Sequence, residues 1–139
     1  MAYWLIKTEP GSWSWQDQVE KGNEHWNGVR NYQASNYMKA MKVGDRAFFY
    51  HSVKEKSIVG IVEISREYYP DHTDESGRFG MVDVRTVKAL NRPVSLAEIK
   101  EEKDLQEMAL LKQSRLSVMP VTKAEWQTIC KIGQTSPEV

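Results

Sequence analysis

Four short stretches carry residue types suited to holding a nucleic-acid base or a phosphate. The first is His25-Trp26-Asn27-Gly28. Trp26 stands there outside any periodic apolar face, in what reads as a loop, which leaves its ring free to stack on a base. The second is Arg30-Asn31-Tyr32, with Asn36 one turn later, at the opening of a helix whose unpaired N–H groups attract anions. Asn31 suits a base edge and suits an N-cap equally well. The third is Phe48-Phe49-Tyr50-His51-Ser52. On a strand, alternation sends Phe48 and Tyr50 to one face and Phe49 and His51 to the other, so one pair at most meets a ligand. The fourth is Gln113-Ser114-Arg115-Leu116-Ser117, a polar loop whose hydroxyls and guanidinium can meet a ligand, or whose Arg115 can close an internal ion pair.

Signatures of catalysis are weak by comparison. His25, His51 and His72 lack the short spacing of a metal site, and the single Cys130 brings no thiol cluster to them. Neither a P-loop, a G-x-G-x-x-G nor a G-x-S-x-G motif occurs. No catalytic residue, metal or cofactor is therefore expected. Ser52, His51 and Asp71 are the types of a hydrolytic triad, but nothing in their spacing brings them together. Cys130 falls in the apolar helical pattern of Trp126 and Ile129, which predicts a buried thiol.

The charge is balanced in total and uneven in place. Nineteen Lys and Arg meet nineteen Asp and Glu over 139 residues. This excludes a uniformly basic protein that grips phosphates everywhere. Residues 26–54 hold Arg30, Lys39, Lys42, Arg46 and Lys54 against Asp45 alone, and residues 108–123 hold Lys112, Arg115 and Lys123 without an acid. Glu98, Glu101, Glu102, Asp104 and Glu107 gather elsewhere. That distribution suits a localised basic groove, with Lys39 and Lys42 as phosphate contacts, and also suits ordinary solvated helix faces.

The elements that must position these residues read as a mixed α+β domain. Tyr3–Lys7 forms a first strand, and Ser14 with Asp17 opens a short helix ending near Gly22. Ala34, Met38 and Met41 give residues 31–42 an apolar stripe. Strands follow at 47–51, from Ile58 toward Tyr69, and at 81–87. Ser95/Glu98 and Thr122/Glu125 are capping boxes that start helices near 96 and 123. About five strands result, and a core of ordinary size needs neither disulfide nor metal. The opening ten residues read as neither a signal peptide nor a membrane segment, and one cysteine points to a reducing, cytoplasmic setting.

Six separated segments resemble the EVE domain family. They are Tyr3 to Pro10, Trp26 to Ala34, Gly44-Asp45 with Phe49 to Ser52, Tyr69 to Asp71, Val82 to Val84, and Arg115 to Val118. The resemblance implies a PUA-like fold, a curved sheet or pseudo-barrel of about five or six strands flanked by helices. It also implies one such domain over residues 1–133, leaving 134–139 as a flexible tail. The function implied is recognition of modified bases, chiefly 5-methylcytosine and 5-hydroxymethylcytosine in DNA, flipped into an aromatic pocket. Carried onto this chain, Trp26, Arg30, Asn31 and Tyr32 match the helix-entry motif, and Tyr50, His51 and Ser52 the strand motif. Tyr69 to Asp71 and Ser114 to Ser117 match loops that would rim the pocket. Ser35 departs from the family, many members of which carry Arg there. The expectation is a monomeric reader of modified DNA with no membrane partner. RNA binding is the first alternative. Hydrolysis of a modified nucleoside, with His51 or Asp71 as base, is the second.

Overall fold

The computed structural model describes residues 1–139. Its six strands are β1 (Tyr3–Thr8), β2 (Asn23–Trp26), β3 (Arg46–His51), β4 (Ser57–Pro70), β5 (Gly80–Ser95) and β6 (Val118–Val121). The helices are α1 (Trp15–Lys21), α2 (Tyr32–Ala40), α3 (Leu96–Glu101), α4 (Ala109–Lys112) and α5 (Lys123–Ile132), with a 3-10 turn at Lys103–Leu105. The strands form one mixed sheet in the order β2-β5-β4-β3-β1-β6. Only β1 and β3 run parallel, and the chain between them supplies α1, β2 and α2. β2 and β6 are the two edges, and they do not pair with each other, so the sheet stays open.

The helix starts follow from their caps. Ser14, Ser95 and Thr122 each accept a bond from the N3 amide, and Asp17, Glu98 and Glu125 accept one from the cap amide in return. Ala34, Met38 and Met41 are buried, as their spacing requires, and Trp126 of α5 stacks on Phe48 at 3.9 Å. Gly60 lets α1 approach β4, because a Cβ there would lie 2.4 Å from the Trp15 ring.

The strand pattern and the loop placement of Trp26 are corrected, and the chain end and Ser35 take defined positions. β2 and β6 are strands that the residue pattern does not predict, and Trp26 closes β2 instead of sitting in a loop. Residues 134–139 are tied down. The Trp126 indole donates to the Pro137 carbonyl at 3.1 Å, and Arg46 Nε donates to the Val139 carbonyl at 2.8 Å. Thr135 is buried and accepts from the Asn91 amide at 2.9 Å. A buried indole N–H needs an acceptor, and the tail supplies it. Ser35, where the family pattern has Arg, is buried beneath α2 and meets the Tyr68 hydroxyl at 2.9 Å. Its place is the packing of α2 on β4. No helix is long and apolar enough to cross a membrane.

Candidate nucleic-acid interface

The curl of the sheet brings the ends of β1 and β2 to one cleft of about 620 Å³ at the open seam. Lys7 and Thr8 come from β1, Trp13 from the loop after it, and Glu24, His25 and Trp26 from β2. The loop Asn27–Arg30, His72 and Ser117 complete the wall. Trp26, Arg30 and Ser117 therefore converge as the sequence suggests. His25 and Asn27 enter with Trp26 from the first stretch, while Lys7, Trp13 and His72 join the site without a local signal that points to it. Trp26 also belongs to the core: it is 8% exposed, and its ring meets Phe49 edge-on at 5.6 Å.

One buried carboxylate shapes the loop wall. Asp71 accepts from the Gly28 amide at 2.8 Å, from Arg30 at 3.0 Å, and from the amide and hydroxyl of Thr73 at 2.7 and 2.6 Å. Burial alone would raise its pKa. The Thr73, Gly28 and Arg30 bonds overcome that and hold the carboxyl well below the usual carboxylate range. Gly28 has φ +83°, which only glycine adopts without strain, and this turns its amide onto the carboxylate. Asp71 is therefore a latch and not a base, and Arg30 spends much of its charge on it.

A second polar group stands behind His25. Its Nδ1 lies 2.9 Å from the Asp83 carboxylate and 2.9 Å from the Tyr69 hydroxyl, which itself donates to Asp83. Burial first, then the Asp83 bond and charge, push the Tyr69 hydroxyl up to about 12. Tyr69 thus keeps its proton at neutral pH and directs it at Asp83. His25 Nδ1 is engaged by that pair, and its Nε2 meets no other side chain or backbone group. Tyr69, expected on the rim, does not line the cleft itself and bonds to His25 and Asp83 behind it.

The strand motif lies under the site. Tyr50 is buried, with the Lys7 ammonium 5.7 Å from its ring centre. His51 Nε2 accepts from the Trp15 amide at 3.0 Å, and burial pulls its pKa down against the opposing pull of Glu55. The Ser52 amide and hydroxyl both donate to the Thr8 carbonyl. With Phe48, Phe49 and Tyr50 all buried, neither alternating pair faces a ligand. The ring nitrogen that His51 would need as a base is occupied.

The remaining candidates lie off the cleft. Asn31 is the N-cap of α2, accepting from the Ala34 amide at 2.9 Å, which decides between its two roles. It shares a smaller neighbouring hollow with Ser114 and Arg115. Arg115 is exposed and closes no ion pair, while the Ser114 carbonyl accepts from Lys7 Nζ at 2.8 Å. Tyr32 is exposed against Phe79 at 4.9 Å, and Asn36 faces solvent. Lys39 lies over the Tyr68 ring at 5.5 Å, and neither it nor Lys42 lines the cleft. Lys123 stands beside Tyr3, at the opposite end of β1 from Lys7. The two basic stretches thus approach each other at the Asn31–Arg115 hollow, while Lys39, Lys42 and Lys123 lie off the cleft.

A family model described as EVE domain matches residues 2–132. Thymocyte nuclear protein 1 of Gallus gallus is 37% identical over 97% of this chain and 70% of that protein. Rpa0253 from Rhodopseudomonas palustris is 57% identical and superposes with a TM-score of 0.92, over 96% of this chain and 94% of that one. Human THYN1, solved in complex with 5-methylcytosine containing DNA, is 34% identical with a TM-score of 0.92, over 99% of this chain and all of that one.

Proposed function

Because the chain belongs to the EVE domain family, we propose that it binds DNA carrying 5-methylcytosine or 5-hydroxymethylcytosine and takes the modified base, flipped from the helix, into the seam cleft. The observation that carries this reading is the convergence of Trp13, Trp26, His25 and Lys7 on one cleft of about 620 Å³, roomy enough for a base together with its sugar. Extruding a base costs a few kcal/mol, and stacking on an aromatic wall returns about 1–3 kcal/mol. His25 Nε2, an acceptor in the Nδ1–H tautomer, suits the N4 amino group, the donor that marks cytosine. Ser117 and Asn27 supply further polar partners, and Lys7 meets a phosphate at the rim. The protein acts as a monomer and a binding module, and a nucleic-acid partner with a lone buried thiol suits a cytoplasmic, nucleoid-associated setting.

A methyl group held against the indole walls adds about 1 kcal/mol, the scale of one buried CH₂, which corresponds to about fivefold in affinity. The test is an anisotropy titration of matched duplexes carrying cytosine, 5-methylcytosine or 5-hydroxymethylcytosine at fixed salt. The methylated duplex should bind about fivefold tighter than the unmodified one. Equal affinity for all three overturns the reading.

A further inference from the structure

A second cleft, of about 650 Å³, opens at the same end of the sheet, where the β3–β4 connection faces the start of α3. The strand register ties the two clefts together. Thr8 pairs with His51, His51 with Ser57, and Ser57 with Ser95, so four strands set these residues side by side in one row. Thr8 lines the first cleft, and Ser57 and Ser95 line the second. At about 4.8 Å per strand the row spans about 14 Å. That is about four nucleotide steps at roughly 3.4 Å each.

Cations mark the path. Lys7 rims the first cleft, and Lys56 and Lys100 rim the second. Neither Lys56 nor Lys100 closes an ion pair. Burial, and then repulsion from Lys56, both lower the Lys7 pKa, so the two ammonium groups share one electrostatic neighbourhood. Glu55 is the one acid in the second cleft. Glu98 of α3 is committed to Ser95 and Arg92, and Glu101 does not line the cavity. Val53, 60% exposed, with Pro93 and Leu96, gives the cleft an apolar floor on which a sugar or base can rest.

We propose that the strand whose modified base occupies the first cleft continues across the sheet end, and that Lys56 and Lys100 hold its flanking phosphates at the second cleft. The two cavities then form one composite nucleic-acid surface. This rests on the proposed base-binding role of the first cleft, and the experiment separates the two. Lys56→Gln/Lys100→Gln, Lys123→Gln and the unaltered protein are titrated with a duplex of about 12 base pairs, unmodified or carrying one 5-methylcytosine, between about 50 and 200 mM salt. The double variant should flatten the slope of log K against log salt by about 1.8, since each phosphate that is no longer neutralised takes away about 0.9. The methylated-to-unmodified ratio should stay that of the unaltered protein, and Lys123→Gln should leave the slope unchanged. An unchanged slope in the double variant, or an equal flattening in Lys123→Gln, overturns the proposal. So does a collapse of the ratio without a change of slope. If the unaltered protein fails to distinguish the two duplexes, the base-binding reading falls, and the slope on unmodified DNA still decides the role of the second cleft.

Discussion

Two tryptophans wall the cleft, and they stand in different energetic positions. Trp26 is nearly buried against Phe49, so Trp26→Ala opens a cavity and costs about 3–5 kcal/mol of stability. Taken from the sequence alone, where it reads as a loop residue, the same change should remove selectivity and spare the fold. Burial reverses that expectation, and Trp13 becomes the informative position. Its ring is half-buried at the cleft, and its indole N–H donates to Gln18 at 3.0 Å. Trp13→Ala should weaken binding to methylated DNA by about 1–3 kcal/mol, roughly 5- to 150-fold. It should lower the melting temperature less than Trp26→Ala. Titration and thermal unfolding of both variants check this, and unchanged affinity in Trp13→Ala would remove it from the stacking wall. Trp13 and Lys7 are invisible as site residues in the sequence because each belongs to another local pattern, a turn and a strand end. Only the curl of the sheet joins them to Trp26. His25 stands in the same short stretch as Trp26, but its partner Asp83 lies on β5, 58 residues away.

Elements set by local chemistry are legible in the sequence, and elements set by pairing are not. The three capping boxes place their helix starts because the cap and N3 side chains satisfy each other's amides without help from the rest of the chain. β2 and β6 are four-residue edge strands, too short for alternation to register, and Pro120 interrupts the second. They form because β5 and β1 offer unpaired edges. The seam between them is the site, so several of its residues can be named from the sequence while its location cannot. The loop between β2 and α2 depends in the same way on a distant group, the Asp71 carboxylate beyond β4. Asp71→Asn should lower stability by about 2 kcal/mol at neutral pH, the scale of a buried charged hydrogen bond. The sign in acid follows from the depressed pKa. The carboxylate contributes fully above its ordinary value near 3.8, and that contribution fades as pH falls toward the lower folded value. The gap between wild type and Asp71→Asn should therefore be widest above about pH 5 and shrink below about pH 4. Denaturant melts at about pH 7, 4 and 3 measure it, and a constant gap would show that Asp71 acts through shape instead of charge.

At the scale of the whole molecule, balanced charge limits how DNA can be held. With nineteen cations against nineteen anions there is little long-range attraction, and Arg30 is largely neutralised by Asp71. Lys7, Lys56 and Lys100 remain as the cations without an acidic partner around the two clefts. Three phosphate contacts give a slope of log K against log salt of about −2.7. Raising salt from about 50 to 200 mM should then weaken binding about 40-fold for methylated and unmodified duplexes alike. Selectivity has a different origin, in the indole walls of Trp13 and Trp26, which carry no charge. The ratio of the two affinities should accordingly hold near roughly fivefold across the same range. Paired titrations at the two salt concentrations measure both quantities at once. A ratio that falls with salt would move the discrimination onto the lysines and out of the cleft. A constant ratio on a falling affinity would assign grip to the charged rim and choice to the seam of the sheet.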